Sequence, residues 1–189
     1  MSFNQKRSFY AHVAYDNKRL TFVDLVLGER YSIGEANLLT TLPPRKPNPG
    51  GVTRSYPKFI AYFACYDDYY NLQIRGPAYF GNYISKNADG QLGAFPAAGG
   101  DTTSFNLLDD NKTIITLDNL GSGIASVYLK ARSGGVIKST QKTASRRESH
   151  SFNDRSGDAF KFNIEILERN VGYPGGTRPD EYNDFFDVD

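Results

Sequence analysis

Hydrophobic and polar positions alternate along most of this chain, and turn-forming residues interrupt the alternation at short intervals. The clearest example is GNYISKNADGQLGAF (81–95), in which strand-forming residues flank an Asp89-Gly90 turn. Asp-Gly readily adopts the positive φ angles of a tight hairpin turn, and aromatic or branched residues on both sides favour strands. The pattern therefore predicts a β-hairpin in this segment.

The same order of elements recurs along the chain. NLQIRG (71–76) precedes the hairpin and SFNLLDD (104–110) follows it, which gives a unit of four strands. Two further copies can be drawn through TFVDLVLGERYSIGEANLL (21–39) with KFIAYFACYDD (58–68), and through TIITLDNLG (113–121), VYLKARSGGVI (127–137) and AFKFNIEIL (159–167). The separation of Tyr83 from Leu92 equals that of Tyr128 from Ile137. Because a repeated unit decides the architecture, we expect an all-β chain of three four-stranded units.

Alternation also predicts which side chains point inward, since successive side chains on a strand face opposite ways. The expected inward pairs are Val23 and Leu25, Leu72 and Ile74, and Ile115 and Leu117. The rings expected to share the core are Phe59, Phe105, Phe162, Tyr31, Tyr83 and Tyr128. Burying one such ring contributes about 1.5 to 3 kcal/mol, so packing alone accounts for the repeated aromatic residues.

Three such units resemble the β-trefoil superfamily. The unit has an aromatic residue, a glycine turn, a return strand and a Phe-led strand, and it is most similar to fascin-type and agglutinin-type trefoil repeats. The ricin-type signature Gln-Xaa-Trp is absent, because the chain has no Trp. The resemblance implies a six-strand barrel capped by three hairpins, and a β-sandwich is the alternative. The expected division is an N-terminal extra hairpin (1–20), a trefoil domain (21–168) and an acidic, aromatic tail (169–189).

Composition limits the partners. The 189 residues fit one domain, and 22 basic against 21 acidic side chains leave a net charge of +1, so no general field favours nucleic acid. No segment approaches the roughly 18 apolar residues of a membrane span, so we expect a soluble protein. The N-terminus has no apolar signal segment. We expect synthesis in the cytoplasm, with any release following a route that needs no signal peptide.

Catalytic and metal chemistry have little support in the sequence. The two histidines, His12 and His150, fall in a predicted strand and a predicted loop, and the single cysteine, Cys65, lies in an apolar strand where thiols are usually buried and inert. No Cys or His pair has the spacing of zinc ligands. We therefore expect no enzyme, no cofactor and no metal site.

The trefoil resemblance implies carbohydrate recognition by a lectin-like protein in a toxin or defence setting. Such recognition needs an exposed ring beside carboxylate or amide groups, and three places in the sequence offer this. The candidate sugar-binding residues are Asp67, Asp68, Tyr69, Tyr70, Asn82, Asn87, Asp89, Asp118 and Asn119. Each is equally compatible with a turn or a cap. The expected partners are glycans or glycoproteins.

A basic segment of the third unit supplies a second group of candidates. Its candidate anion-binding residues are Lys130, Arg132, Lys138, Lys142, Arg146 and Arg147. They could bind phosphates or sulfated sugars, although a solvated loop explains the same composition. The alternative function is a protein-binding trefoil module, such as a protease inhibitor, a cytoskeletal module or a receptor ligand, acting through loops 40–57 and 138–158 or through the tail.

Overall fold

The computed structural model of this protein describes residues 3–27, 34–42, 58–98, 100–144 and 147–174. Strands account for 53% of the described residues and helices for 9%, which confirms the all-β class. The strands are β1 (Phe9–Tyr15), β2 (Lys18–Phe22), β3 (Leu39–Thr41), β4 (Ile60–Tyr66), β5 (Tyr69–Ile74), β6 (Tyr83–Lys86), β7 (Leu92–Phe95), β8 (Ser104–Leu108), β9 (Ile114–Ile115), β10 (Ile124–Ala131), β11 (Lys138–Ala144), β12 (Arg147–Asn153), β13 (Asp158–Ala159) and β14 (Phe162–Arg169). The helical segments are α1 (Val23–Leu27) and the 3-10 turns Gln5–Arg7, Gly100–Thr102 and Leu117–Asn119.

Six of these strands form a closed barrel. β1 pairs with β4 and β14, β5 pairs with β4 and β8, and β10 pairs with β8 and β14, all antiparallel. Closure leaves no unpaired edge in this sheet. No helix in the described ranges is long and apolar enough to cross a membrane.

Aromatic rings fill the barrel. Phe9 on β1 stacks on Phe63 of β4 with ring centroids 4.5 Å apart, and Tyr70 of β5 meets both rings edge-on. The expected core residues Phe59, Phe105 and Phe162 are buried, none exposing more than 8% of its surface. This part of the predicted core is confirmed, as are Leu72 and Ile74.

Three hairpins lie between consecutive barrel strands: β2–β3 between β1 and β4, β6–β7 between β5 and β8, and β11–β12 between β10 and β14. They contact one another in pairs, through the bridges Thr40–Ser151, Leu38–Gly93 and Gln91–Asn153. We call this region the hairpin junction. It joins parts of the chain that are far apart in sequence.

The middle unit has the predicted structure. β5, the hairpin β6–β7 and β8 occupy the segments expected for its strand, hairpin and Phe-led strand. Gly90 has a φ angle of 80°, as the hairpin turn requires. The side chain of Asn87 accepts hydrogen bonds from the N–H groups of Asp89 and Gln91, which stabilises the loop between the strands.

The segment predicted as an N-terminal addition is part of the barrel. The strand expected as an N-terminal addition is β1, a full member of the barrel that pairs with both β4 and β14. Residues 23–27 form α1 rather than an inward-facing strand, and Leu25 is 48% exposed. The prediction that Val23 and Leu25 form an inward-facing pair is therefore wrong. The connection between β2 and β3 is long and contains α1. A local sequence pattern therefore does not show that these two strands form one hairpin. Tyr31 lies outside the described residues.

The third unit is also shifted. A turn does occur at Gly134-Gly135, with a bridge between Lys130 and Val136, but the strand before it is β10 of the barrel. The segment 138–158, expected as a loop, is mostly the hairpin β11–β12. Tyr128 therefore lies on a barrel strand, β10, whereas Tyr83 lies on a hairpin strand, β6. The prediction that the two tyrosines are equivalent is wrong.

The predicted starting strand of the third unit (113–121) is outside the barrel. It contains the short strand β9, which pairs only with β8, followed by a 3-10 turn. Leu117 is buried, whereas Ile115 is only half-buried. A short apolar alternation before a turn can belong to a connection as well as to a barrel strand.

Candidate functional site

The turn between β4 and β5 brings two tyrosines and two aspartates together. Tyr66 and Tyr69 face each other across the turn, and their rings stack with centroids 5.8 Å apart and planes at 20°. Asp67 and Asp68 form the turn, with Asp67 at a φ of 65°, a region that Asp tolerates better than most residues. Within the described residues, no hydrogen bond or ion pair uses either carboxylate. The turn therefore presents two acids beside half-buried rings.

This turn is one end of a row of rings on the outer wall of the barrel. Tyr66 contacts Phe3 with centroids 5.9 Å apart, Phe3 contacts Tyr173 at 6.4 Å, and Tyr173 contacts Tyr62 at 6.3 Å. We call Phe3, Tyr62, Tyr66, Tyr69 and Tyr173 the aromatic strip. Tyr173 is 51% exposed, so part of the strip is open to solvent.

Segments from both ends of the described chain hold the strip in place. The N–H of Val171 donates to the Ser8 carbonyl at 3.0 Å, and the Tyr62 hydroxyl donates to the Val171 carbonyl at 3.0 Å. The hydroxyls of Tyr173 and Tyr83 are 2.6 Å apart. Burial raises the pKa of both Tyr62 and Tyr83. These hydroxyls are therefore neutral at physiological pH.

Arg132 borders the strip at the end formed by the β4–β5 turn. Its guanidinium carbon lies 4.3 Å from the centroid of the Tyr69 ring, within the range of a cation–π contact. Its N–H donates to the Ser104 carbonyl at 2.9 Å, which positions the residue beside β8. From β8, the side-chain amide of Asn106 donates to the Asp68 carbonyl at 2.9 Å. β8 therefore positions both Arg132 and the turn.

Tyr70, Asn82, Asn87 and Asp89 do not join this turn. Tyr70 as a sugar contact is wrong: its side chain is fully buried, and its hydroxyl accepts a hydrogen bond from the Leu117 N–H at 2.9 Å. Asn87 stabilises the β6–β7 loop, and Asp89 is exposed in that loop. Asn82 is half-buried just before β6, where its carbonyl accepts from the Ile74 N–H.

Asp118 and Asn119 lie in the 3-10 turn Leu117–Asn119, and both have structural partners. The Asp118 carboxylate is 2.6 Å from the Arg7 guanidinium nitrogen. The Asn119 side chain accepts a hydrogen bond from the Thr116 N–H at 3.0 Å, as the third residue of a capping box does. Of the predicted sugar residues, the structure brings together Asp67, Asp68 and Tyr69.

The predicted anion-binding group is divided between the barrel and a hairpin. Lys130 is on β10 and Arg132 follows it, whereas Lys138 and Lys142 are on β11 and Arg147 begins β12. The Lys138 ammonium donates to the Arg155 carbonyl at 3.2 Å. Arg146 lies outside the described residues. The prediction of a single basic loop is therefore wrong, because these residues belong to different structural elements.

Nothing in the described ranges forms a metal-binding group of three or more His, Cys, Asp or Glu side chains. Cys65 is buried, and burial raises its pKa, which disfavours the reactive thiolate. This confirms the buried cysteine expected from the sequence.

Sequence reasoning missed four members of the strip. Tyr62 and Tyr66 alternate with buried Phe63 and Cys65 along β4, so the strand has rings on its outer face as well as its inner face. Such a strand predicts that something covers its outer surface, and this signal was available. Phe3 and Tyr173 were not recognisable, because they reach the strip by packing between segments far apart in sequence.

No protein-family model matches this chain, and a search of the curated proteins finds no match. The functional argument therefore rests on the geometry of the turn and the strip.

Proposed function

We propose that this chain is a β-trefoil protein that binds carbohydrate at the β4–β5 turn and the adjoining aromatic strip. The trefoil proposal is supported by the position of the hairpins, each of which lies between two consecutive strands of a six-strand barrel. That order is the one that the resemblance to fascin-type and agglutinin-type repeats implies.

The sugar proposal is carried by one observation, the pairing of stacked rings with two carboxylates that form no hydrogen bond or ion pair with a described residue. A sugar has an apolar face of C–H groups and an edge of hydroxyl donors. The negative face of a tyrosine ring attracts the C–H groups, and carboxylates accept strong hydrogen bonds from hydroxyls. Tyr66, Asp67, Asp68 and Tyr69 place both kinds of group within one turn.

A glycan array, run with and without calcium, tests this function. We expect saturable binding to a limited set of glycans that free monosaccharide competes away. Comparison of the two arms shows whether the bound sugar needs calcium. A blank array together with a stoichiometric protein partner would instead support the protein-binding alternative.

The site is tested by replacing Asp67 and Asp68 with Asn, which keeps their size and suits the positive φ of Asp67. Loss of charge-assisted hydrogen bonds should weaken glycan binding about tenfold or more. Asp89→Asn is the matched control, since Asp89 is an exposed acid in the turn of another hairpin. Equal losses in the two variants would place the binding site elsewhere.

A further inference from the structure

Two cationic side chains, one on β10 and one just after it, lie beside the candidate sugar site. Leu129 and Ala131 are buried in the core, so alternation directs Lys130 to the outer wall. Arg132 contacts the ring of Tyr69. Lys130 forms no ion pair with any residue in the described ranges. A positive charge therefore lies against the strip itself.

Pairing between strands links these cations to the acidic turn. Lys130 is opposite Asn106 on β8, and the Asn106 side chain donates to the Asp68 carbonyl on the far side of that strand. Lys130, Asn106 and Asp68 therefore lie in order across three neighbouring elements. A ligand beside Tyr69 would lie near the acids of the β4–β5 turn and near the Arg132 guanidinium.

The positive charge continues along β10. Lys112 and Lys161 both have their ammonium groups within 6 Å of the centroid of the Tyr128 ring. Tyr128 is on the same face of β10 as Lys130. Asp110 forms an ion pair with Lys161, which leaves Lys112 as the main addition to the charge of this face. The outer face of β10 is thus basic although the whole chain carries a charge of only +1.

We propose that the ligand of this site is a sulfated glycan, a refinement that rests on the proposed carbohydrate binding. The sugar packs beside the Tyr66–Tyr69 pair, its hydroxyls donate to Asp67 and Asp68, and its sulfate ester is held by Arg132 and Lys130. A guanidinium group binds the oxygens of a tetrahedral anion through two parallel hydrogen bonds, and an ammonium group adds a point charge.

The two acids favour a sulfated sugar over a nucleic acid. A nucleic acid carries a charge at every nucleotide, so Asp67 and Asp68 would repel it next to the cations that attract it. A sugar with an isolated sulfate places its neutral hydroxyls at the acids and its charge at the cations. The arrangement of both signs around Tyr69 therefore matches a ligand with both kinds of group.

A paired array tests this inference on the full chain. It presents galactose and N-acetylglucosamine oligosaccharides, each with and without one sulfate ester, and includes single-stranded DNA as a polyanion competitor. We expect the sulfated member of at least one pair to bind about tenfold or more tightly. We expect DNA to compete weakly, and the preference for sulfate to fall as salt is raised.

Charge-removing variants assign the preference to its residues. The readout is the ratio of sulfated to unsulfated binding by each variant: Lys130→Met should lower this ratio, and Lys130→Met with Arg132→Met should bring it to about one. Arg132→Lys should keep only part of the preference, because the charge remains but the two parallel hydrogen bonds of the guanidinium are lost. The matched control is Lys58→Gln with Lys142→Gln, which removes the same charge from exposed positions elsewhere. Circular dichroism and thermal unfolding check that each variant is folded.

The outcomes separate the two proposals. Equal binding of sulfated and unsulfated sugars overturns the inference and leaves the carbohydrate function standing. So does an equal loss of sulfated binding in the control variant, or competition by DNA as effective as that by the sulfated sugar. An array on which no glycan binds overturns the carbohydrate function itself.

Discussion

Two ion pairs of the same length lie in opposite surroundings. In the hairpin junction, the Lys86 ammonium is 2.6 Å from the Asp154 carboxylate, and each side chain is only 8% exposed. On the outer surface, Arg7 and Asp118 are also 2.6 Å apart, but their side chains are 39% and 56% exposed. The nitrogen–oxygen distances of the two pairs are equal, so the pairs differ in their exposure to solvent. Buried charges are stabilised mainly by each other because water cannot reach them, whereas exposed charges are solvated by water.

The structure around the buried pair shows how closely it is enclosed. The Asp154 carboxylate lies against Gly90 of the β6–β7 loop and Gly134 of the β10–β11 turn, where a Cβ atom on either glycine would collide with it. The Asp154 N–H donates to the Gly90 carbonyl at 3.2 Å. The pair therefore connects hairpins β6–β7 and β11–β12. The exposed Asp67 and the half-buried Asp68 form no ion pair with any described residue, which leaves their carboxylates available to a ligand.

The largest expected effect is from breaking the buried pair. Asp154→Ala leaves the Lys86 ammonium buried without its partner, so the free energy of unfolding should fall by about 3 to 5 kcal/mol. Chemical denaturation measures this change in the free energy of unfolding. Asp110→Ala is the matched control, since it breaks the pair with Lys161 at an acid that is 74% exposed, and should cost at most about 1 kcal/mol. Similar losses in the two variants would contradict the role given to burial.

A smaller effect is expected from removing one hydroxyl at adjacent tyrosines. Tyr70→Phe leaves the buried N–H of Leu117 without its acceptor, which should lower the free energy of unfolding by about 1 to 3 kcal/mol. Tyr69→Phe, one residue away on the outer wall, should change it by less than about 0.5 kcal/mol. Urea unfolding of both variants makes the comparison. A costly Tyr69→Phe would show that the outer wall also carries stability.

The sequence predicts the middle unit correctly because every signal for that unit is local. Its turn, its two hairpin strands and its flanking barrel strands all fall within residues 69–108. In the first unit, α1 separates β2 from β3, and no local pattern joins them. In the third, Gly134 permits the close approach of Asp154 as well as the turn. A glycine required by a distant carboxylate cannot be distinguished in sequence from one required by a turn.

The candidate site divides in the same way. Asp67, Asp68 and Tyr69 are predicted because a turn between strands exposes its residues. Tyr70 is misassigned because side chains alternate along β5 after the turn: one residue beyond Tyr69, the side chain faces the core. Tyr173 joins the strip only through the packing of segments far apart along the chain, and that information is tertiary.

The two histidines predict a pH dependence. Burial lowers the pKa of His150 in the hairpin junction, and it lowers the pKa of His12 against the partly opposing hydrogen bond to Glu165 on the barrel wall. A lowered folded-state pKa means that the unfolded chain binds protons more readily. Stability is therefore full above the unfolded value of about 6.5 and is lost as the pH falls through the lower folded values.

Urea midpoints measured at successive pH values below neutrality test this dependence. His150→Gln and His12→Gln should each flatten the decline, and the double variant should flatten it further. An unchanged slope in both single variants would show that carboxylates, not these histidines, set the acid limit of stability.

The smallest expected effect is at the exposed pair, and it tests the opening comparison most directly. A double-mutant cycle on Arg7→Gln and Asp118→Asn should give a coupling energy of about 0.2 to 1 kcal/mol that falls further in salt. The same cycle on Lys86→Met and Asp154→Leu should give a much larger coupling, since either single change leaves an uncompensated buried charge that the double change removes. Equal couplings for pairs of equal length would mean that distance alone sets the energy. A large difference, with only the exposed pair sensitive to salt, would mean that the exclusion of water is what makes the buried pair stabilise the hairpin junction.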